Sequence, residues 1–252
     1  MAQTVIIRAD DLGYSPGVNT GIAAAVAAGS VGCVSVLCVP GLWTEEGLAS
    51  LAGRDVALGV HSCISNGRPA AGAAAVPALV NETGAFRSSR FYRSAEQDPV
   101  PPEQALAEIR AQVAWFTEHT SRRPDYLDIH AVPSKSLSTA AEQVAAEMGL
   151  PFLGFGIGET HAVGRANLRL HLPPSHTAPY DPWASLAGAL DVAPEDTALV
   201  HVTHPGYVDA PLLRRSGLTE NRAWEAEMLC SAELPDWLAN RRARMTDLRA
   251  IL

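Results

Sequence analysis

Two adjacent carboxylates, Asp10 and Asp11, follow the apolar run Val5-Ile6-Ile7 in the opening segment "VIIRADDLGYSPGVNTGI". A short run that is hydrophobic on both sides of its pleat belongs in the middle of a sheet covered on both faces, where an uncompensated charge is costly. Histidines stand in comparable places: His61 ends "VALGVH", His130 ends "YLDIH" and His204 ends "ALVHVTH". All are at the carboxyl end of a predicted strand, the edge at which α/β folds gather their sites. A carboxylate with two imidazoles is a ligand set for Zn²⁺ or a comparable divalent ion, and it leaves coordination positions open for water and substrate. Such an ion would make a buried carboxylate favourable. A second carboxylate beside it would be placed to accept a proton from water. Consecutive aspartates in a strict strand diverge, so the chain is expected to turn here, with Gly13 as the residue that permits it.

Each of these residues also has a plainer role to weigh. Asp11 could cap the first helix, but Ser15 followed by Pro16 is the better cap. A histidine closing a strand is commonly a core residue, yet four polar positions at equivalent strand ends argue for a shared site. His201, three residues before His204, is expected on the other face and structural. His119, His161, His171 and His176 fall in helix or loop contexts, with His171 and His176 the reserve ligands. Cys33, Cys38, Cys63 and Cys230 show no C-x-x-C spacing and are expected as buried free thiols. Cys63, two residues after His61, fits a small core residue better than a ligand.

Elements that could position these groups alternate along the chain. After the first strand, Val18 to Ala28 is helical, "CVSVLCV" strand-like, "LASLA" helical and "VALGV" a third strand. Residues 62–102 lapse into Gly, Pro, Ala and Ser with scattered Arg and aromatics, too long for an idle connection, and read as a lid or substrate-facing insertion. Helical spacing returns with Leu106, Ile109, Val113 and Phe116. "PDYLDIH" reads as a strand, Thr139 to Met148 as a helix stopped by Gly149, and "PFLGF" as another strand. A looser stretch from Gly156 to Tyr180 precedes a helix around Trp183 to Leu190 and the strand "ALVHVTH". The last part is mostly helical, with Trp224, Met228, Leu229, Trp237 and Leu238 as packing residues. Strands separated by helices imply a mainly parallel sheet, either barrel or open, in one α/β domain spanning residues 1–252.

Composition narrows the function. With 252 residues and 47% hydrophobic content the chain can build a barrel-sized core. A formal charge of −8, with no basic cluster beyond "NRRAR", argues against nucleic acid and anionic membrane surfaces. The uncharged run from Leu12 to Thr44 is long enough to span a bilayer, but its Ala, Gly and Ser content and Pro40 fit helix, turn and strand instead. No secretory signal is apparent, so a cytoplasmic location is expected. "GFGIG" lacks the ending of a dinucleotide motif.

The segments "ADDLGYSPGVNTGI", "GVHSCIS", "YLDIHAVP" and "HVTHPGYVD" fall in the order and at about the spacing of the YdjC/ChbG-like carbohydrate deacetylases. The chain resembles that family from the first strand to about Arg222, and Tyr207, Arg222 and Glu225 look like its closing segment. The resemblance implies an irregular (β/α) barrel that removes acetyl groups from N-acetylated sugars such as chitooligosaccharides. It assigns Asp11, His61 and His130 to the metal, Asp10 to the general base, and His204 to protonation of the departing amine. Tyr14, in the first motif, and Arg222, in the closing segment, are expected to contact substrate. Two departures bear on the groove: Val132 stands where the family usually has a second histidine, and "HSCI" replaces "HLNL"-like residues after His61.

The expected activity is thus metal-dependent hydrolysis of an N-acetyl amide on a carbohydrate. The expected cofactor is one divalent ion, zinc or magnesium first, with cobalt and nickel also compatible with a mixed Asp/His/His set. The same architecture could serve a non-sugar or antibiotic-type amide, a barrel-type sugar isomerase or epimerase, or a sugar-binding relative without turnover. Phe86, Phe91, Tyr92 and Trp183 either stack on sugar or pack. A small-molecule substrate is the partner expected, and a homo-oligomer is compatible with the sequence.

Overall fold

The computed structural model of the protein describes residues 2–154, 156–177 and 179–251. The chain begins with β1 (Gln3–Leu12), α1 (Pro16–Ala27), β2 (Cys33–Val36), α2 (Thr44–Ser50) and β3 (Ala57–Ser62). Next come α3 (Ser89–Arg93), α4 (Pro102–Thr120), β4 (Tyr126–Ile129) and α5 (Lys135–Met148). The hairpin β5 (Thr160–Val163) and β6 (Ala166–His171) is followed by α6 (Pro182–Val192), β7 (Ala198–Thr203), α7 (Ala210–Arg215) and α8 (Glu220–Cys230). Helix α9 (Leu234–Asn240), β8 (Ala243–Met245) and a 3₁₀ turn at Leu248–Ala250 close the chain. The protein is α/β with mainly parallel strands, the connectivity expected of an irregular (β/α) barrel. Two compact units are distinguishable: Met1–Ser35 with Glu46–Ala57 and Phe155–Leu252, and Val36–Glu45 with Leu58–Gly154.

In the first unit β1 pairs in parallel with β7, Val5 opposite Leu199 and Ile7 opposite His201, and with β8 near its start. Val5, Ile7 and Leu199 pack against Leu186, Met228 and Leu238 of the covering helices, all nearly or fully buried. Each such side chain contributes about 1.5–3 kcal/mol on leaving water. The Ser15 hydroxyl caps α1 by accepting the Val18 N–H, with Pro16 at the first helical position as its sequence implies. Gly17 and Gly21 then give α1 a bare face on which the loop after β7 lies. A Cβ on Gly21 would come within 2.5 Å of Gly206 Cα, and one on Gly17 within 2.2 Å of the Tyr207 carbonyl oxygen. Gly21→Ala is therefore expected to cost about 1–3 kcal/mol through overpacking, read as a lowered melting temperature. An unchanged melting temperature would show that the loop yields freely.

The second unit is organised by the parallel pair β3–β4, Gly59 opposite Tyr126 and His61 opposite Asp128. Gly59 has no side chain because the Tyr126 ring fills that space. Helix α4 buries Ile109, Val113 and Phe116 with Leu106 half-buried, and places Glu108 and Gln112 inward as well. Residues 62–102 are packed, with Val76, Leu79, Phe86, Tyr92 and Val100 in the interior. They are held by polar groups of α4: buried Glu108 accepts the Ala70 and Ala71 N–H groups at 2.9 and 3.0 Å, and half-buried Gln104 accepts that of Ala78 at 2.9 Å.

Several expectations need correction. The aspartate pair lies inside β1, and the backbone reverses first at Asp11 itself, at φ 78, before Gly13 at φ 103. "PFLGF" is not a strand: Phe152 makes an isolated bridge to Leu127, and Phe155 lies outside the described residues. The stretch expected to be loose between Gly156 and Tyr180 contains the β5–β6 hairpin, while Ala178 lies outside the described residues. Helix α5 starts at Lys135, because the Ser134 hydroxyl accepts the Leu137 N–H. Trp224 is 52% exposed rather than a packing residue. Cys230 is exposed, whereas Cys33, Cys38 and Cys63 are buried. Phe86 and Tyr92 pack, the Tyr92 hydroxyl donating to the Ile64 carbonyl at 3.1 Å. Among the described residues no helix is long and apolar enough to cross a membrane.

Candidate functional site

In the first unit the two aspartates are buried, and each meets a guanidinium supplied by the chain. Arg8 precedes Asp10 by two residues and so shares its strand face. Its Nε donates to Asp10 Oδ1 at 2.7 Å and its Nη2 to Oδ2 at 2.9 Å, a bidentate fork that fixes the carboxylate. Arg222 of α8 donates Nη2 to Asp11 Oδ2 at 2.6 Å. The left-handed backbone at Asp11 breaks the strand alternation, so its side chain need not oppose that of Asp10.

Arg222 is 2% exposed and also donates Nε to the Leu218 carbonyl at 3.1 Å and Nη1 to the His204 carbonyl at 3.4 Å. Its guanidinium stands 5.5 Å from the centroid of the Tyr14 ring. The Tyr14 hydroxyl donates to the Arg215 carbonyl at 3.0 Å, and that side chain too is buried. Both residues expected at the substrate are thus engaged within the protein.

One turn of α8 grips the peptide of His204 from both sides. Arg222 binds its carbonyl, while Glu225 Oε2 accepts its N–H at 2.5 Å; the Gly206 N–H in turn donates to the Arg222 carbonyl at 3.2 Å. The other Glu225 oxygen accepts the Tyr180 hydroxyl at 2.6 Å. Burial pushes the Glu225 carboxyl up to about 7, with nearby Asp10 adding to it, against the lowering effects of Tyr180, the His204 N–H and Arg222. Below about pH 4.5 this group is protonated in the folded and unfolded chains alike. Between about 4.5 and 7 only the folded chain keeps the proton, so stability falls as pH rises, and the loss is complete above about 7. The loss is on the order of 3 kcal/mol. Glu225→Gln is expected to flatten this slope, seen by comparing melting temperatures at pH 5 and 8; identical slopes in both proteins would exclude Glu225 as its source.

His201 and its neighbour His171 bring their Nδ1 atoms to 2.9 Å and stack at 18°, and burial pushes His201 down to about 3. This is a neutral pair joined by one N–H···N bond, which gives His171 a structural role. His176 and His119 are exposed, and His161 meets Glu159 at 3.1 Å.

In the second unit His61 and His130 are brought together, both buried. The β3–β4 register sets His61 opposite Asp128, and His61 Nδ1 lies 2.8 Å from Asp128 Oδ1. An imidazole that donates to a carboxylate keeps the lone pair of its other nitrogen, the arrangement that orients a metal-binding ring. That other nitrogen, Nε2, is 3.2 Å from His130 Nδ1. Unlike the His171–His201 pair, this one is backed by an acidic group, and its donor chemistry fits a divalent cation. Asp128 and Asn66, whose amide nitrogen is 3.1 Å from His130 Nε2, were not singled out from the sequence. The Asp128 position two before His130 on one strand face was the available signal. Ala131, at φ 51, turns the chain directly after His130, and Val132 is buried with its N–H on the His130 carbonyl at 2.6 Å.

A family model described as "YdjC-like protein" matches residues 4–240. A "Carbohydrate deacetylase 2" of Listeria innocua is 27% identical over 93% of this chain and 93% of its own length. A "Carbohydrate deacetylase" of Vibrio cholerae is 30% identical over 98% and 96% respectively. Among solved structures, a putative cellobiose-phosphate cleavage protein of Enterococcus faecalis is similar with a TM-score of 0.83, 24% identity and 99% of both chains covered.

Proposed function

Since the chain belongs to the family of YdjC-like proteins, we propose that it hydrolyses an N-acetyl amide on a carbohydrate with the help of one divalent cation. The names of its relatives support the substrate class, over nearly the whole of each chain. The observation that carries the reading is the buried hydrogen-bonded chain from Asp128 through His61 to His130. Asp11, His61 and His130 would hold the ion, one carboxylate and two imidazoles, all buried. Two nitrogen donors favour zinc, cobalt or nickel over magnesium, which prefers an oxygen cage.

When bound, the ion supplies Lewis acidity toward the acetyl oxygen and toward water. Asp10, fixed by the Arg8 fork, takes the proton of the water whose oxygen bonds to the acetyl carbon. His204, its peptide gripped by Arg222 and Glu225, gives a proton to the nitrogen as the C–N bond breaks. Acetate and a free amino sugar leave. Arg222 acts by keeping Asp11 in place rather than by touching substrate. Acetate release measured across N-acetylated mono- and oligosaccharides and N-acetylated non-sugar amines tests this reading. Release from the sugars alone is expected; release from the non-sugar amides alone would overturn the substrate class, and substrate conversion without acetate would overturn the reaction.

A further inference from the structure

The connection after β3 brings one side chain to the far nitrogen of His130. We propose that Asn66 is a positioning residue that decides which nitrogen His130 offers to the cation, so that His130 binds through Nδ1 and His61 through Nε2. The inference rests on the metal reading above. Asn66 meets His130 Nε2 at 3.1 Å, on the opposite side of the ring from the 3.2 Å approach of Nδ1 to His61 Nε2. With Nε2 taken, Nδ1 is the atom left to converge with His61.

The Asn66 backbone is held from both directions. Gln112 clamps the Cys63 peptide, accepting its N–H at 3.0 Å and donating to its carbonyl at 2.6 Å, and the Cys63 thiol contacts the Asn66 carbonyl at 3.9 Å. On the other side Gly67 turns at φ 74, close against the Pro40 carbonyl, to which the Arg68 N–H donates at 2.9 Å. The side-chain amide can still rotate by half a turn, exchanging its oxygen and nitrogen.

That rotation matches the two states the site must adopt. Without an ion, the amide NH₂ donates to His130 Nε2, and the ring proton on Nδ1 bridges to His61 Nε2. With an ion, Nδ1 must give up that proton. The neutral ring then carries its proton on Nε2, and the amide presents Oδ1 to accept it. No proton is gained or lost by the ring overall. Partners of this kind are worth about 10–100-fold in metal affinity.

Long-range ¹H–¹⁵N spectra of the zinc-loaded full-length protein read the tautomers directly. Expected are His130 with its proton on Nε2 and His61 with its proton on Nδ1; a zinc-loaded His130 carrying its proton on Nδ1 overturns the proposal. Zinc affinity, measured by competition with a chromophoric chelator, should fall about 10–100-fold in Asn66→Ala, while Asn66→Asp, which can only accept, should hold wild-type affinity or better. Metal-free melting temperatures check folding, and Asn66→Ser, too short to reach the ring, replaces an Asn66→Ala that does not fold. Wild-type affinity in the Ala or Ser variant, or an equal loss in Asn66→Asp, overturns the role of Asn66 and leaves the metal reading standing. A folded wild-type protein that binds neither zinc nor cobalt overturns both.

Discussion

Asp11→Asn is expected to lose bound zinc, lose activity and melt earlier, three effects from one atom exchange. The amide is a poor substitute for a carboxylate at a cation, so metal content after dialysis should fall to background. It also leaves the Arg222 guanidinium, 2% exposed, without its counter-charge at 2.6 Å. Removing one partner of a buried pair costs about 3–5 kcal/mol, and because the Asn oxygen still accepts one bond the lower end applies. At about 2–4 °C per kcal/mol for a chain of this size, the metal-free variant should melt about 6–12 °C below metal-free wild type, read by calorimetry. A variant that melts normally and retains zinc would remove Asp11 from both roles.

Asp10→Asn separates chemistry from binding. The metal should stay, because Asp10 is assigned to the proton and not to the ion, while turnover falls roughly a hundredfold or more. Half of the Arg8 fork survives on the amide oxygen, so a loss of stability is expected here as well. Initial rates of acetate release alongside metal analysis of the same sample decide the matter. Should Asp10→Asn lose zinc and Asp11→Asn keep it, the two assignments exchange.

The compensation of the aspartates shows where sequence reading reached and where it stopped. Two buried carboxylates at the end of "VIIRADD" needed compensation, for which the sequence suggested a metal ion, whereas the folded chain also brings a guanidinium to each. One half of the answer was local: Arg8 lies two residues before Asp10 on the same strand face, a period-2 relation visible in the sequence. The other half was not, since Arg222 reaches Asp11 across 211 positions, a contact only the folded chain creates. Asp128 was within reach by the same period-2 rule, because it precedes His130 by two and the β3–β4 register sets it opposite His61.

The secondary structure divides along similar lines. Local chemistry announced the start of α1 at Ser15-Pro16 and the end of α5 at Gly149, where the backbone turns left-handed. In the β5–β6 hairpin only β6, "ANLRLH", alternates apolar and polar residues, with Leu168 and Leu170 buried, a short period-2 signal that the loop expectation passes over; β5, "THAV", carries no such pattern. "PFLGF" erred the other way: its pairing stops at a single parallel bridge between Phe152 and Leu127 and does not extend into a ladder. Trp224 is apolar but lies off the buried face of α8, which Arg222, Glu225, Met228 and Leu229 form.

Anomalous diffraction at the zinc edge from a zinc-loaded crystal tests the central claim most directly. The account predicts one strong peak about 2.0–2.2 Å from a carboxylate oxygen of Asp11, from His61 Nε2 and from His130 Nδ1. Full activity in a crystal form whose only zinc peak lies away from these three side chains would contradict it.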